Sequence, residues 1–224
     1  MTLLRQAVAV AGKDLRIEVR GRYALGAILP FAGTLLIAFG LSLGPGRSLL
    51  EQTAPGLLWL AVLFASVLSF RRAYESESED GAIDGLTLAP VDRAAIFLGK
   101  AAAVAVQLWA LEAVILLLVA ALFGLPLGGD PPALAGAFAL GTVGLAAVGS
   151  LFGVLEQSPR AREAIVPLLV LPLATPVLLA GVKATALATA GRGSEAASWL
   201  GLLAAFDLVF LAAGVLVFGI LLED

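Results

Sequence analysis

Six stretches of this 224-residue chain are long and apolar enough to cross a lipid bilayer, and they constrain its fold more than any other feature. A bilayer core about 30 Å thick needs roughly 20 apolar residues in a helix that rises about 1.5 Å per residue. The chain is 60% hydrophobic and 14% charged, far from the composition of globular domains. The stretches are residues 23–43, 55–70, 94–123, 133–155, 164–182 and 199–222.

These stretches predict an all-α polytopic membrane protein with one integral domain over residues 1–224. A transmembrane β-barrel would need polar and apolar residues to alternate with a period of two, and the sequence shows no such alternation. The first stretch comes after some twenty polar and mixed residues and has no small-residue cleavage site, so we interpret it as an uncleaved span.

The distribution of Lys and Arg predicts the orientation. With the N-terminus inside the cell, eleven cations fall in cytoplasmic segments, and only Arg47, Lys183 and Arg192 fall outside. The excess of positive charge on the cytoplasmic side puts both termini in the cytoplasm. The expected location is therefore the bacterial inner membrane.

Residues 1–22 precede the first span and have the pattern of an amphipathic helix. Apolar residues recur from position 4 to position 19 at spacings of three and four, and Lys13, Arg16 and Arg20 gather on another side. Such a helix lies in the inner membrane interface, either as a plain anchor or as an elbow that moves with a partner.

The segment 71–93 separates the second and third spans and is the main cytoplasmic feature of the chain. Its first half is acidic, glycine interrupts it, and Pro90 ends it. We expect a short helix over residues 77–85, parallel to the membrane, and after it Asp92 as the cap of the third span. Acidic side chains gain little binding energy from contact with anionic lipid, so we expect this segment to bind another protein.

Several residue types that bind metals or carry out catalysis are missing from the sequence. Cysteine and histidine are absent, and the only methionine is the initiator. The chain therefore lacks the usual ligands for zinc, copper, iron–sulfur clusters and haem iron, and Tyr23 and Tyr74 are the only conceivable haem ligands. No GxxxxGK[ST] phosphate loop occurs. We expect no catalytic residue, metal or cofactor in this chain, and any ATPase must be a separate subunit.

The sequence ESEDGAIDGLTLAPVDRAAIFLGK resembles the E-x-x-x-G…L-x-x-x-P…GK signature of ABC-2-type export permeases. In that family, a short interfacial helix here inserts into a groove on the ATPase, which implies a coupling role for a set of residues in this segment. They are Glu77, Asp80, Gly81, Asp84, Leu86 and Pro90.

Five segments, beginning with KDLRIEVRGR and ending with WLGLLAAFDLVFLAAGVLVFGILLED, resemble the haem exporter protein B family. This is the permease subunit of the cytochrome c maturation ABC complex. The resemblance implies a homodimer with two ATPase A subunits, associated with haem-handling C and small D membrane subunits and a periplasmic haem chaperone. ATP and Mg²⁺ would then bind the A subunit, and haem would be ligated elsewhere. Haem export and ATP-driven release of the loaded chaperone both remain open.

Two acidic residues, Glu112 and Asp207, lie at similar depth inside the predicted spans. A bare charge there costs at least a few kcal/mol, so each should be protonated or paired. Lys183 is the only nearby cation, and we expect it to pair with Asp207. A structural pair and a substrate-facing or inter-subunit polar site are equally open interpretations.

The fifth span contains Pro167, Pro172 and Pro176, which predict a kinked or broken helix. Residues 183–198 come next and are too polar to span and too long for a tight turn. We therefore expect either a short re-entrant outer helix or a surface loop there.

Other functions compete with this interpretation. An ABC-2-type permease for a lipid, a glycan or a drug would share the same signature. A secondary transporter or channel would usually need more intramembrane polar groups than two carboxyl groups and Gln107. A static scaffold for other membrane subunits is the third class.

Overall fold

The computed structural model describes residues 2–79, 91–153 and 165–221, and these ranges contain helices and connecting turns but no strand. The all-α prediction is confirmed. In chain order, the elements are α1 Leu3–Gly21, a π-helical turn Ala24–Ile28, α2 Leu29–Leu43, α3 Arg47–Glu79, α4 Arg93–Phe123, α5 Pro131–Gly153, α6 Ile165–Thr189 and α7 Gly193–Leu221.

Within these ranges, six helical segments have the length and composition to cross a membrane, as predicted. They are Gly26–Leu43, Arg47–Phe70, Arg93–Phe123, Pro131–Gly153, Val170–Thr189 and Gly193–Phe218. The chain is thus a multi-pass membrane protein. The second span begins earlier than predicted because Pro55 lies inside α3.

Helix α1 is separated from the first span by a sharp change of backbone conformation. Arg22 adopts a left-handed conformation with φ 52°, and its N–H donates to the Glu18 carbonyl. The N–H of Ala24 then donates to the Glu18 carboxylate at 3.0 Å. Glu18 therefore contacts both the end of α1 and the start of the next helix. We call this change of conformation at Arg22 the elbow, and the choice between a plain anchor and an elbow that moves with a partner stays open.

Residues 183–198 form neither a surface loop nor a separate short helix, so the structure differs from the expectation for this segment. Helix α6 continues to Thr189, and α7 begins at Gly193 after a three-residue turn. The turn closes through a bond from the Arg192 N–H to the Leu187 carbonyl, with Gly191 at φ 75°. The stretch stays helical because it is rich in alanine, and the Thr189 hydroxyl donates to the backbone of its own helix.

The fifth span was predicted to be kinked or broken. Helix α6 runs unbroken through Pro172 and Pro176, so the break does not occur, and the kink stays a prediction. The short helix expected over residues 77–85 does not begin as a separate helix at residue 77. Residues 77–79 form the last turn of α3, and residues 80–85 lie outside the described ranges. The predicted Asp92 cap is present, because its carboxylate accepts from the Ala94 N–H at 2.9 Å.

The core centres on Trp59 of α3, whose indole lies against two glycines. A Cβ on Gly181 of α6 would approach the indole to 2.5 Å, and one on Gly141 of α5 would collide with it. The indole N–H donates to the Thr185 hydroxyl at 2.9 Å, and the ring stacks on Phe138. Trp59 therefore joins α3, α5 and α6 in the middle of the bundle.

Candidate functional site

The expected coupling residues fall at the edge of the described chain. Glu77 belongs to the final turn of α3, although its side chain is outside the described set, and Asp80, Gly81, Asp84, Leu86 and Pro90 lie outside the described residues altogether. Their assignment stays a prediction. The C-terminal end of the segment is described, because Asp92 caps the first turn of α4.

Helix α1 lies against that first turn and contacts α4 at three successive levels. The Asp92 N–H donates to the Gln6 side-chain oxygen at 3.3 Å. Further along α4, Gly99 meets α1 so closely that a Cβ there would lie 2.7 Å from the Ala7 carbonyl oxygen. The next residue, Lys100, places its ammonium 3.6 Å from Asp14. Glycine and lysine at these two positions thus dock α1 on α4.

Lys100 is only 4% exposed, although it carries a charge. Burial of an ammonium is costly unless a counter-charge is near, and Asp14 supplies one. Asp14 also lies 3.1 Å from the Lys13 ammonium. We call the contact formed by Gln6, Ala7, Asp14, Gly99 and Lys100 the inner dock.

The apolar stripe that predicted α1 does not face the protein. Leu4, Val8 and Val19 are exposed, whereas Ala7 and Val10 are buried against α4. An exposed apolar stripe suits a helix that lies in a membrane interface. A shallow hollow of about 670 Å³ runs along the exposed surface of α1, lined by Lys13, Arg16 and Arg20.

Glu112 and Asp207 are both buried, at 4% and 6% exposure, on either side of α5. Glu112 of α4 accepts a hydrogen bond from the Thr142 hydroxyl at 2.6 Å. Asp207 of α7 faces Gly144, where a Cβ would approach its Oδ1 to 2.7 Å. Because Thr142 and Gly144 are two residues apart, the two carboxyl groups lie at nearly the same depth, as their sequence positions predicted.

The expected ion pair between Asp207 and Lys183 is not formed. Neither oxygen of Asp207 has a hydrogen-bond partner within the described residues, and Lys183 is exposed on α6. The helical period gives the reason, since Gly181 and Thr185 both face Trp59. Lys183 lies midway between them in sequence, so its side chain points to the opposite side of α6.

Sequence reasoning missed several residues that organise these sites. Thr142 and Asp14 partner buried charged or ionisable groups, but each is unremarkable in sequence. Gly99 and Lys100 were noted only as part of the GK signature. The one available signal was small residues near a predicted buried carboxyl group, and 25 glycines made that signal weak.

Metal-binding side chains are scattered in the described part of the chain. No group of three or more of them occurs in residues 2–79, 91–153 and 165–221. Tyr23 is half-buried near the elbow, and the side chain of Tyr74 is outside the described set. The absence of a haem ligand in this chain stays a prediction.

Comparison with known proteins agrees with the resemblance seen in the sequence. The profile of the CcmB protein family matches residues 5–222. Heme exporter protein B of Paracoccus denitrificans is 32% identical over 204 residues, covering 90% of this chain and 87% of the relative. The protein of the same name in Pseudomonas aeruginosa is 31% identical over 211 residues, covering 91% and 93%.

A third relative is equally similar. Heme exporter protein B of Bradyrhizobium diazoefficiens is 33% identical over 213 residues, covering 92% of each chain. The family match extends from the first turns of α1 to the end of α7, so it includes the inner dock, both buried carboxyl groups and all six spanning helices. This chain belongs to the CcmB protein family.

Proposed function

We propose that this chain is the permease subunit of an ABC transporter complex for cytochrome c maturation, acting in haem export or in ATP-driven release of a haem-loaded periplasmic chaperone. Family membership over nearly the whole chain supports this, as do relatives that carry the name Heme exporter protein B. In this proposal the subunit is not itself an enzyme, and a separate ATPase hydrolyses ATP.

The inner dock is the observation that carries the mechanism. The coupling segment, residues 71–93, leads directly into the capped first turn of α4, which is joined to α1 through Gln6 and Asp92. A displacement of the segment by the ATPase therefore moves α4. The contacts of Gly99 and Lys100 make α1 move with it, and the elbow at Arg22 separates this motion from the first span.

The proposed partners are consistent with the same arrangement. The acidic half of the coupling segment would bind a groove on the ATPase, with both termini of this chain in the cytoplasm of a bacterial inner membrane. Two copies of the chain would pair with two ATPase subunits. The haem-handling C subunit, the small D subunit and the periplasmic chaperone would complete the complex, and haem would be ligated outside this chain.

The test is complementation in the source bacterium after deletion of this gene. We expect c-type cytochromes, measured by haem staining of membrane fractions, to disappear and to return with the wild-type chain. Replacement of Gly81 by Arg should abolish their return and the co-purification of an ATPase, because it places bulk and positive charge in the coupling segment.

Gly128→Arg, in the turn between α4 and α5, serves as the matched control, because Gly128 is exposed and a side chain there meets open space. Undiminished c-type cytochromes in the deletion strain, together with a defect in export of a lipid, a glycan or a drug, would instead establish the ABC-2-type alternative. ATPase binding that survives Gly81→Arg would remove the coupling role of the segment.

A further inference from the structure

A groove runs between α4 and α5 on the exposed side of the bundle, and the proposed coupling mechanism does not use it. Its volume is about 440 Å³. Helix α4 contributes Trp109, Ala113 and Leu116, and α5 contributes Ala135, Phe138 and Ala139. The three alanines and Trp109 are exposed, so the groove opens away from the bundle.

One polar group lies in this apolar lining, and it is Glu112. Its Oε1 accepts from Thr142, but its Oε2 is buried and has no hydrogen-bond partner among the described residues. Glu112 is twelve residues after Lys100 and eleven before Phe123, about 16 to 18 Å from each along the helix. It therefore lies near the middle of the span, where an unpaired polar atom is costly and lipid cannot satisfy it.

The two simplest occupants do not fit these features. An acyl chain fills an apolar groove but has no group that can pair with Oε2. A second copy of this chain whose twofold axis passed through the groove would place the same concave face and the same Glu112 against each other, and a groove is not complementary to itself. The occupant must present a convex apolar ridge that carries a polar group.

We infer that this groove docks a transmembrane helix from a different membrane subunit, which places a hydroxyl or carboxamide side chain against Glu112. Such side chains both donate and accept, so they pair with either form of the carboxyl group. Ala135 and Ala139 are four residues apart on α5, a spacing of small residues that lets two helices approach closely. This site is separate from the coupling segment and does not depend on which species is transported.

Cross-linking in membranes of the source bacterium tests the site, because the chain contains no cysteine and a single one can be introduced anywhere. Ala139→Cys places a thiol in the groove, and Ala205→Cys places one on the exposed side of α7 as the control. Each variant is labelled with a benzophenone maleimide, irradiated and analysed by mass spectrometry. We expect only Ala139→Cys to join a spanning helix of another membrane protein, next to Ser, Thr, Asn or Gln.

Secondary substitutions in the Ala139→Cys chain then test the contact itself. Glu112→Leu and the groove-filling Ala135→Leu should each lower the yield at least threefold. Thr142→Val, which breaks the same internal hydrogen bond but leaves the groove open, should preserve the yield.

Three results would overturn the inference. They are an adduct at twice the 22.8 kDa mass of the chain, adducts with lipid alone, or a yield that Glu112→Leu leaves unchanged. None of them bears on cytochrome c production, so failure here is distinguishable from failure of the proposed function.

Discussion

The inner dock and the layer around Trp59, Glu112 and Asp207, which we call the central layer, both contain charged or ionisable groups and glycine contacts. The two regions use them differently. At the inner dock, buried Lys100 has Asp14 as its counter-charge, and Gly99 brings the two helices together. In the central layer, glycines make room for Trp59, whereas Oε2 of Glu112 and both oxygens of Asp207 lack hydrogen-bond partners in the described structure.

The difference shows which polar groups stabilise the fold. At the inner dock, the counter-charge of Asp14 offsets the cost of burying Lys100, so this pair joins α1 to α4. A carboxyl group in the middle of the span contributes little to stability unless it is fully satisfied. The contact inferred above for Glu112, which lines the groove between α4 and α5, would satisfy this carboxyl group from outside the chain, whereas Asp207 faces Gly144 within the bundle.

The largest expected effect concerns the packing of Trp59 in the central layer. Trp59→Ala should lower the free energy of unfolding by about 3 to 5 kcal/mol, because it empties the space between Gly141 and Gly181. Trp59→Phe keeps an aromatic ring and should lose much less, mainly the bond to Thr185. Unfolding in mixed micelles titrated with denaturing detergent measures both. Equal losses would mean that the hydrogen bond, and not the packing, holds the centre.

The second prediction concerns the inner dock. Gly99→Ala should destabilise the contact by about 1 to 3 kcal/mol, because its Cβ would press on the Ala7 carbonyl. A reporter cysteine at buried Ala7 should then react faster with a maleimide. Gly12→Ala on α1 is the control, since its Cβ meets open space. Unchanged labelling in Gly99→Ala would show that α1 does not depend on this approach.

The third prediction returns to Glu112. Thr142→Val should cost about 0.6 kcal/mol in the isolated subunit, and at most about 1.7 kcal/mol, which are the average and the maximum measured for hydrogen bonds between membrane helices. Glu112→Gln should cost less, because the amide oxygen still accepts from Thr142. The same detergent titration compares the two variants. A larger loss in Glu112→Gln would indicate that the free oxygen already has a partner within the subunit.

The smallest effect is expected between Asp207 and Lys183. Asp207→Asn and Lys183→Met should act additively on the free energy of unfolding, within about 0.5 kcal/mol, because the side chains face different directions. A double-mutant cycle makes the measurement. A coupling energy clearly above that value would show that Asp207 and Lys183 form the ion pair predicted from the sequence. Asp207 would then not be an unpaired group.

Much of the fold was predictable because its signals are local. The length of each apolar stretch gave all six spans, Asp92 was predicted as a helix cap, and the spacing to Lys100 and Trp199 placed Glu112 and Asp207 at one depth. The helical course of residues 183–189 was missed because polarity was taken as an end signal. In the structure, Thr185 accepts a bond from Trp59, and Thr189 donates to its own backbone.

The sequence by itself determined that the chain is an α-helical membrane protein with an N-terminal helix, six spans and an acidic segment between the second and third. Length, hydropathy and capping are properties of neighbouring residues, so no partner helix is needed to read them. Tertiary structure decided that Gly99 and Lys100 hold α1, that Trp59 lies between Gly141 and Gly181, and that Lys183 turns away from Asp207. These outcomes depend on which faces of distant helices meet, and helix rotation about its axis is fixed only by packing.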